Sequence, residues 1–448
     1  MIFNYMLFAR VYFPFALGYA ISYFYRNANA IIESDLVDEL GLGPADLGLL
    51  TSAYFFSFAA FQLPLGILLD RYGPRRTEAA LLLFAALGAW IFSNSETSTG
   101  LIAGRLLIGL GVSACLMAAF KAFVIWFQSE RLPMINGLQM VAGGLGALGA
   151  TTPLQNFLSV TDWRGVFSGL AIITVFASLC LWLVLPEHHS SADKKPEFKT
   201  QLKEMGTVFR SPVFWSIAPL TALSNGAFLA IHGLWIKPWL RDVAGLGEQD
   251  SSQLLFSMTL SVITGYFLLG IFTERLSRFF DMQPISVGVF GMILFSSAQF
   301  SLAFGWSASP LLLVTMLGFL GTSCILTYAG LAQIFPKKYS GRVSTILNVQ
   351  VFMGAFIIQW GIGEIIELWP LTESGYDPSS YGLPSVQWRC CRFQDWFGIL
   401  FPNFSSKESL MHPDNYLIFS KSWVISLIFN SAFFLFFDVI ASLTQCCR

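Results

Sequence analysis

The sequence predicts an all-helical integral membrane protein in which about twelve transmembrane helices form two similar six-helix halves. Three observations lead to this prediction. Of the 448 residues, 55% are hydrophobic and only 12% are charged, whereas a soluble domain has about 25% charged residues. Long apolar segments recur along the chain, and a polar stretch divides them into two sets. A soluble protein of this size could not bury so much apolar surface, so the chain requires a lipid environment.

Each apolar segment approaches or exceeds the roughly 20 residues of helix that cross a hydrocarbon core of about 30 Å. The first set is expected at 7–32, 45–69, 77–94, 98–127, 133–158 and 164–185. The second set is expected at 212–240, 251–274, 284–304, 306–335, 341–369 and 417–443. This division predicts an N-terminal bundle at 1–185, a linker at 186–211 and a C-terminal bundle at 212–448. No convincing cleavage site precedes the first segment, which favours a retained helix over a removed signal peptide.

The positive charges predict how the helices are oriented in the membrane. Lys and Arg follow the second, fourth, eighth and tenth segments, and the linker contains Lys194, Lys195, Lys199, Lys203 and Arg210. The loop after the first segment has no Lys or Arg and contains Glu33, Asp35, Asp38, Glu39 and Asp46. Because basic loops remain in the cytoplasm, we expect both termini and the linker there. The expected location is a bacterial cytoplasmic (inner) membrane.

The two halves repeat a short pattern. Glycine, three apolar or neutral residues, an acid and an arginine end both the second and the eighth segments, as Gly66, Asp70 and Arg71 and as Gly270, Glu274 and Arg275. Two such halves, related by an axis along the membrane normal, would enclose a site between them near the middle of the bilayer.

The turn after the second segment closely resembles a signature of the major facilitator superfamily. It reads Gly66-Ile-Leu-Leu-Asp70-Arg71-Tyr72-Gly73-Pro74-Arg75-Arg76. The resemblance implies the major facilitator fold and a latch in which the acid closes the cytoplasmic side. We therefore expect gating roles for Gly66, Asp70, Arg71, Gly73, Arg75, Arg76, Glu274 and Arg275. Gly66 would permit close helix contact, and Asp70 would pair with a cation or a helix N-terminus. The alternative is a basic turn that only fixes topology.

Other stretches resemble the same family, and together they cover about residues 10–370. They are Arg105-Leu-Leu-Ile-Gly109-Leu-Gly111, the glycines 143, 144, 146 and 149 before Pro153, and Asp162-Trp163-Arg164-Gly165-Val166-Phe167. Arg105 lies near the outer end of its segment, where a structural or gating role is expected. Beyond this region, a polar insert at 372–416 and a last segment containing Lys421 and Asp438 indicate a divergent or frameshifted C-terminal end.

Polar residues form one stripe along the otherwise apolar first segment. Tyr19, Ser22, Arg26, Asn29 and Glu33 recur at steps of three or four residues, which places them on one helix face. An ionised side chain at mid-bilayer costs about 2.5–3.5 kcal/mol on insertion scales, so this face is expected to line the central cavity. Family members that carry organic anions have a similar arginine, and this resemblance implies an anion contact for Arg26. The alternative is a buried ion pair with Glu33 or a neighbour.

Further candidates for substrate binding lie on other segments. Lys121 either contacts the solute or extends towards the cytoplasm. His232 either carries a coupling proton or packs as a neutral side chain, and Lys237 is interpreted as an interfacial anchor. Neutral hydrogen-bonding groups are expected at Ser22, Asn29, Tyr54, Asn225 and Tyr328.

The predicted function is secondary active or facilitative transport of a small organic anion or zwitterion by alternating access. The sequence contains no P-loop, zinc-ligand spacing or Ser-His-acid arrangement, so we expect no enzyme activity, no cofactor and no metal. The net charge of −1 gives the chain no overall attraction to nucleic acid, so no nucleic-acid partner is expected. The expected partners are a solute, a coupling proton and the lipid bilayer. The protein is expected to be a monomer. Alternatives are an amino-acid, dipeptide or nitrate-like carrier and, from another class, a non-transporting sensor or scaffold.

Overall fold

The computed structural model describes residues 5–128, 131–186, 198–280, 284–305, 308–336, 339–372 and 375–381. These residues are almost entirely helical, which confirms the predicted fold class. Eight of the helical stretches are long and apolar enough to cross a membrane. The predicted last segment at 417–443, with Lys421 and Asp438, and most of the polar insert lie outside the described residues.

The first half consists of helices that match its predicted segments. They are α1 (Tyr5–Asn27), α2 (Asn29–Leu40), α3 (Pro44–Ser93), α4 (Ser98–Val112), α5 (Cys115–Trp126), α6 (Leu132–Gly149), α7 (Thr152–Phe157) and α8 (Trp163–Val184). Two predicted segments merge into α3, which bends at Gly73. Three others are divided into helix pairs, namely α1 with α2, α4 with α5, and α6 with α7.

The second half also follows its predicted segments over the described residues. Its helices are α9 (Phe198–Phe209), α10 (Pro212–Ala230), α11 (Ile236–Asp242), α12 (Glu248–Phe280), α13 (Pro284–Ala303), α14 (Pro310–Gly321), α15 (Cys324–Ile334) and α16 (Ser340–Ile366). A π-helical turn at Ile231–Trp235 joins α10 to α11. Strands β1 (Leu371–Thr372) and β2 (Gly375–Tyr376) then pair antiparallel, and a 3-10 turn follows at Pro378–Tyr381.

Short polar signals define several helix ends. The Thr97 side chain accepts a hydrogen bond from the Gly100 amide at the start of α4, and Asp162 accepts one from the Gly165 amide at the start of α8. Such caps satisfy amides that lack a partner within the helix. Gly41 ends α2 with φ of 63°, a left-handed conformation that favours glycine.

The predicted linker contains a helix that its polar composition did not indicate. Helix α9 packs with α10, α15 and α16 around a small apolar cluster that includes Val208, Phe214 and Leu347. Arg342 of α16 also lies 3.2 Å from a Glu204 carboxylate oxygen. Residues 198–209 of the linker are therefore part of the folded second half.

Candidate functional site

Arg26 on α1 places its guanidinium among aromatic rings. Its Cζ atom lies 4.5 Å from the centroid of the Tyr23 ring, 5.3 Å from that of Phe352 and 5.6 Å from that of Phe58. The Tyr54 ring centroid is 5.8 Å away. Arg26 is 8% exposed, and its Nε atom has no hydrogen-bond partner. Cation–π attraction offsets part of the cost of burying this charge, by about 0.5–2 kcal/mol. The Nε donor remains available for an anion.

Both halves of the protein contribute to this group, which we call the Arg26 site and define as Arg26, Tyr23, Tyr54, Phe58 and Phe352. Phe352 comes from α16, and the other members come from α1 and α3. The Phe352 and Phe58 ring centroids are 4.3 Å apart, so the two halves are in contact beside the cation. Tyr266 of α12 and Tyr328 of α15 are near enough to interact electrostatically with Arg26. A molecule held at this position would therefore contact both halves.

The ion pair expected as an alternative for Arg26 is not formed. A Glu33 carboxylate oxygen instead lies 2.7 Å from the Arg241 guanidinium. Within the described ranges, Arg26 has no carboxylate at ion-pair distance. The positive charge of Arg26 is therefore stabilised by aromatic rings rather than by a carboxylate.

Of the predicted neutral groups, those on α1, α2 and α3 lie close to one another. The Tyr54 hydroxyl donates a hydrogen bond of 3.5 Å to the Ser22 carbonyl oxygen. The Asn29 amide nitrogen donates to the Thr51 hydroxyl at 2.9 Å, while its amide oxygen has no partner. Tyr54, Ser22 and Asn29 are all buried.

The candidates from the second half are placed near the same centre. The Tyr328 hydroxyl lies 3.4 Å from the Asn348 amide oxygen and also interacts with Asn225. His232 lies in the π-helical turn, with its Nε2 atom 2.9 Å from the Thr259 hydroxyl. His232 is buried, stacks on a phenylalanine ring and is near enough to Arg26 to interact with it electrostatically. Its contacts suit the expected packing role, and its position also suits a role beside Arg26.

The structure joins Lys121, a predicted solute contact, to Asp70, the predicted latch acid. The Lys121 Nζ atom lies 2.5 Å from an Asp70 carboxylate oxygen and 2.7 Å from the Leu69 carbonyl oxygen. The two charged side chains are 32% and 41% exposed. An ion pair this exposed contributes at most about 1 kcal/mol. Lys121 thus contacts the end of the first part of α3, beside the turn that is expected to face the cytoplasm.

The turn that is expected to face the cytoplasm contains one glycine in an unusual backbone conformation. Gly73 has φ of 78° and ψ of 167°, a combination that is essentially restricted to glycine. Arg75 donates a hydrogen bond to the Trp182 carbonyl oxygen, and Arg71 lies over the Tyr72 ring at 5.4 Å.

The close helix contact expected at Gly66 is not observed. A Cβ atom added at Gly66 would meet no described heavy atom within 4 Å, because this face of α3 is open there. Arg76 is exposed in the same turn. The side chains of Glu274 and Arg275, the repeat of this motif, lie outside the described part of the chain.

Arg105 on α4 is fully buried within the first half. Its guanidinium donates a hydrogen bond of 2.7 Å to the Tyr25 carbonyl oxygen and lies 5.6 Å from the Phe92 ring centroid and 6.0 Å from that of Phe167. These contacts tie α4 to α1, α3 and α8, which agrees with the structural role expected for Arg105.

A polar network that was not predicted from the sequence joins the halves at the end expected to face away from the cytoplasm. We call this network the outer lock and define it as Glu33, Gln155, Lys237, Arg241 and Glu248. Besides the Glu33–Arg241 pair, the Lys237 Nζ atom lies 2.5 Å from Glu248 and 3.3 Å from Gln155. Lys237 also donates to a carbonyl oxygen of α2 at 3.0 Å. Lys237 is 1% exposed, so the interfacial anchor predicted for it is wrong.

Further hydrogen bonds close the same end. The partners from the two halves are Asn156 with Gln249, Thr152 with Ser252, and the Ala45 amide with Glu367. In addition, Asp242 accepts a hydrogen bond from the Tyr381 hydroxyl at 2.9 Å, so the beginning of the polar insert contacts α11. The outer ends of the two halves are therefore held together in this structure.

Comparisons with known proteins agree with this architecture. The model of the Major Facilitator Superfamily matches residues 15–358. A probable L-galactonate transporter of Escherichia coli (strain K12) is 22% identical and aligns over 75% of this chain and 78% of its own. A probable sulfoacetate transporter of Cupriavidus necator is also 22% identical, over 78% of this chain and 85% of its own. The crystal structure of the nucleoside transporter NupG, 12% identical, superposes with a TM-score of 0.67 over 90% of this chain and 100% of its own.

The family match covers more than half of the chain, and the structural likeness extends to the same helices. Apolar helices of membrane-spanning length confirm the predicted membrane protein. The chain belongs to the Major Facilitator Superfamily and is a membrane transporter of a small-molecule solute.

Proposed function

We propose that the chain carries a small organic anion and binds it at the Arg26 site during alternating access. The observation that supports this proposal is a buried guanidinium, between the two halves, that has aromatic neighbours and, among the described residues, no carboxylate at ion-pair distance. Relatives named as transporters of L-galactonate and sulfoacetate, both organic anions, agree with it.

The members of the site suit different parts of such a solute. The planar guanidinium of Arg26 binds a carboxylate or sulfonate through two parallel hydrogen bonds. The rings of Tyr23, Phe58 and Phe352 exclude water, which strengthens that electrostatic contact. Tyr328 and Asn225 of the second half offer neutral hydrogen bonds to the rest of the solute.

Alternating access requires that the halves separate at one end while they close at the other. The closed outer lock joins the two halves and supports a cycle in which this contact is broken and remade. We propose that this conformation receives or releases the solute on the cytoplasmic side. In this proposal the protein is a monomer in a bacterial inner membrane, and both of its termini face the cytoplasm.

The orientation can be tested by labelling single introduced cysteines. Asp38 and Arg76 lie beyond opposite ends of the first part of α3, which spans about 40 Å from Pro44 to Asp70. Asp38→Cys should react with a membrane-impermeant maleimide in intact cells, and Arg76→Cys should react only in inverted vesicles. Reaction of both from one side would contradict the topology.

Thermal unfolding of the purified protein with a panel of solutes tests the binding proposal. A ligand that binds the folded state raises the unfolding temperature by mass action. We expect L-galactonate or sulfoacetate to raise it, and the shift to disappear in Arg26→Gln. Hydrogen bonds to charged groups contribute about 1.5–3 kcal/mol, so affinity should fall at least about tenfold. Arg210→Gln, which changes an exposed arginine of the linker, should respond like the wild type.

The same panel separates the alternatives. Stabilisation by nitrate alone would favour the nitrate-like carrier, and stabilisation by glycylglycine alone would favour the dipeptide carrier. If an anion stabilises Arg26→Gln as strongly as the wild type, the binding site lies elsewhere and the proposal is wrong.

A further inference from the structure

A buried carboxyl group on α3 has no role in the contacts described so far. Glu78 is 0% exposed, and neither of its carboxyl oxygens has a hydrogen-bond partner. It lies five residues after Gly73, at the beginning of an apolar run. Buried polar groups without partners are uncommon because each costs free energy, so this one requires an explanation.

Helices α1 and α5 enclose this carboxyl group. A Cβ atom added at Gly18 of α1 would lie 2.6 Å from a Glu78 carboxyl oxygen, so the carboxyl occupies the space that a side chain would fill. From α5, the Cys115 thiol is near enough to interact with it. Leu82, one turn along α3, also faces Gly18. The Cys115 thiol is thus the titratable group that faces Glu78 in the described structure, and no cation forms an ion pair with Glu78 there.

An ionised carboxylate cannot be accommodated well in these surroundings. Transfer of an unpaired charge into an apolar interior is so unfavourable that the group takes up a proton instead. A protonated carboxyl costs less and needs only weak partners, such as a thiol. The closed packing around Glu78 therefore suits the neutral acid.

The position of Cys115 links this carboxyl group to the solute site. Cys115 interacts with Glu78 and is also within electrostatic range of Arg26. Gly18 and Arg26 lie on the same helix, about 12 Å apart along its axis. A movement of α1 that changes the Arg26 site therefore also changes the space around Glu78.

We propose that Glu78 is a proton-binding site of the transport cycle. In the outer-closed conformation its carboxyl holds one proton, which a carboxylate oxygen has taken from water. When α1 moves away from α3 and α5, water reaches the carboxyl and the O–H bond releases that proton. This inference rests on the proposed alternating-access cycle, and it adds a proton as the ion coupled to the conformational change.

The first test measures the pH dependence of stability in lipid nanodiscs. A folded state that holds one proton more than the unfolded chain loses stability as pH rises, by about a tenfold change in the unfolding equilibrium per pH unit. We expect the pH slopes of the wild type and Glu78→Gln to differ by this one proton between about pH 5 and pH 8, with the wild type losing more stability as pH rises. Glu96→Gln, a matched change at an exposed glutamate, should retain the wild-type slope. Parallel slopes in the wild type and Glu78→Gln would overturn the proposal.

A measurement on the wild type keeps the proposal testable if Glu78→Gln does not fold. Infrared spectra at neutral pH should show the C=O stretch of a protonated carboxylic acid, and its absence would overturn the assignment. The link to conformation is tested with spin labels at Asn156→Cys and Gln249→Cys, which contact each other across the outer end. Their separation should increase as pH rises in the wild type, and a separation independent of pH would overturn the coupling.

The proposals for the solute site and for the proton site can each be contradicted without affecting the other. Arg26→Gln should lose its stabilisation by L-galactonate or sulfoacetate and keep the pH slope. Glu78→Gln should lose the pH slope and keep its stabilisation by the anion. If both variants lose both responses, the proposed separation of the two sites is wrong.

Discussion

Two buried cations, Arg26 and Lys237, differ in how their charge is balanced. Arg26 is surrounded by rings and retains a donor without a partner. Lys237 is in contact with the Glu248 carboxylate, a carbonyl oxygen of α2 and the Gln155 amide oxygen. A satisfied charge stabilises one conformation, whereas an unsatisfied charge is ready to bind an anion. This difference supports the proposal that the centre of the molecule binds the solute and that its outer end holds the two halves together.

Breaking the outer lock should have the largest effect. Arg241→Met leaves Glu33 and Asp242, each 1% exposed, without their cation. Removing one partner of a buried ion pair costs about 3–5 kcal/mol. We expect the outer ends to separate, with a longer distance between spin labels at Asn156 and Gln249.

The matched control for this prediction is Arg164→Met. Arg164 forms an ion pair of 2.7 Å with Glu39, but both residues belong to the first half. The label distance should therefore remain as in the wild type. If Arg241→Met also leaves the distance unchanged, the outer lock does not hold the halves together.

The contact between the polar insert and α11 lies within the second half, so it should affect closure only indirectly, through the Arg241 side chain that Asp242 holds against Glu33. Tyr381→Phe removes the hydroxyl that donates to Asp242, while Arg241 still balances the carboxylate. A hydrogen bond to a charged group contributes about 1.5–3 kcal/mol. The expected result is a minor population with the longer label distance, and a fully closed Tyr381→Phe would show that the insert is not part of the lock.

The Arg26 site is tested by replacing one of its aromatic rings. Phe352→Leu removes a cation–π contact to Arg26 and keeps an apolar side chain. A cation–π contact contributes about 0.5–1 kcal/mol at an exposed site and about 2 kcal/mol when it is buried. Because Arg26 and Phe352 are both buried, the affinity for the stabilising anion should fall by up to about thirtyfold, measured by thermal shift. Phe356→Leu, also on α16 but packed on Phe56 rather than on Arg26, is the matched control. Equal losses in both variants would indicate a general packing effect.

Much of this architecture could be predicted from the sequence. Hydropathy alone located the described helices that are long and apolar enough to cross a membrane, because a bilayer accepts few other structures. Ser22, Arg26 and Asn29 of the stripe on the first segment are buried, while the central cavity that this stripe is expected to line stays a prediction.

The missed residues depend on tertiary pairing. Phe352 is one of 44 phenylalanines, and its position over Arg26 has no local signal. Lys237 resembled an interfacial anchor because Trp235 and Trp239 flank it, and only its contacts with α2 and α7 reveal the lock. Glu78 did have a signal, since a lone acid within an apolar run is rare in membrane helices.

The smallest effect is expected at the ion pair within the first half. Arg164 and the Trp163 indole donate hydrogen bonds to Glu39 and hold the pKa of that carboxyl below its ordinary value. A carboxyl whose pKa is lowered by folding adds stability above its unfolded pKa of about 4.3, and this stability is lost as pH falls through the folded pKa. Because the Glu39 side chain is 46% exposed, the contribution is below about 1 kcal/mol. Glu39→Gln should therefore lower the unfolding temperature slightly at neutral pH and no longer at about pH 3, with no change in the outer label distance at either pH. A change in that distance would mean that exposed ion pairs within one half also control closure. The contrast between paired and unpaired buried charges would then not distinguish solute binding from closure of the outer end.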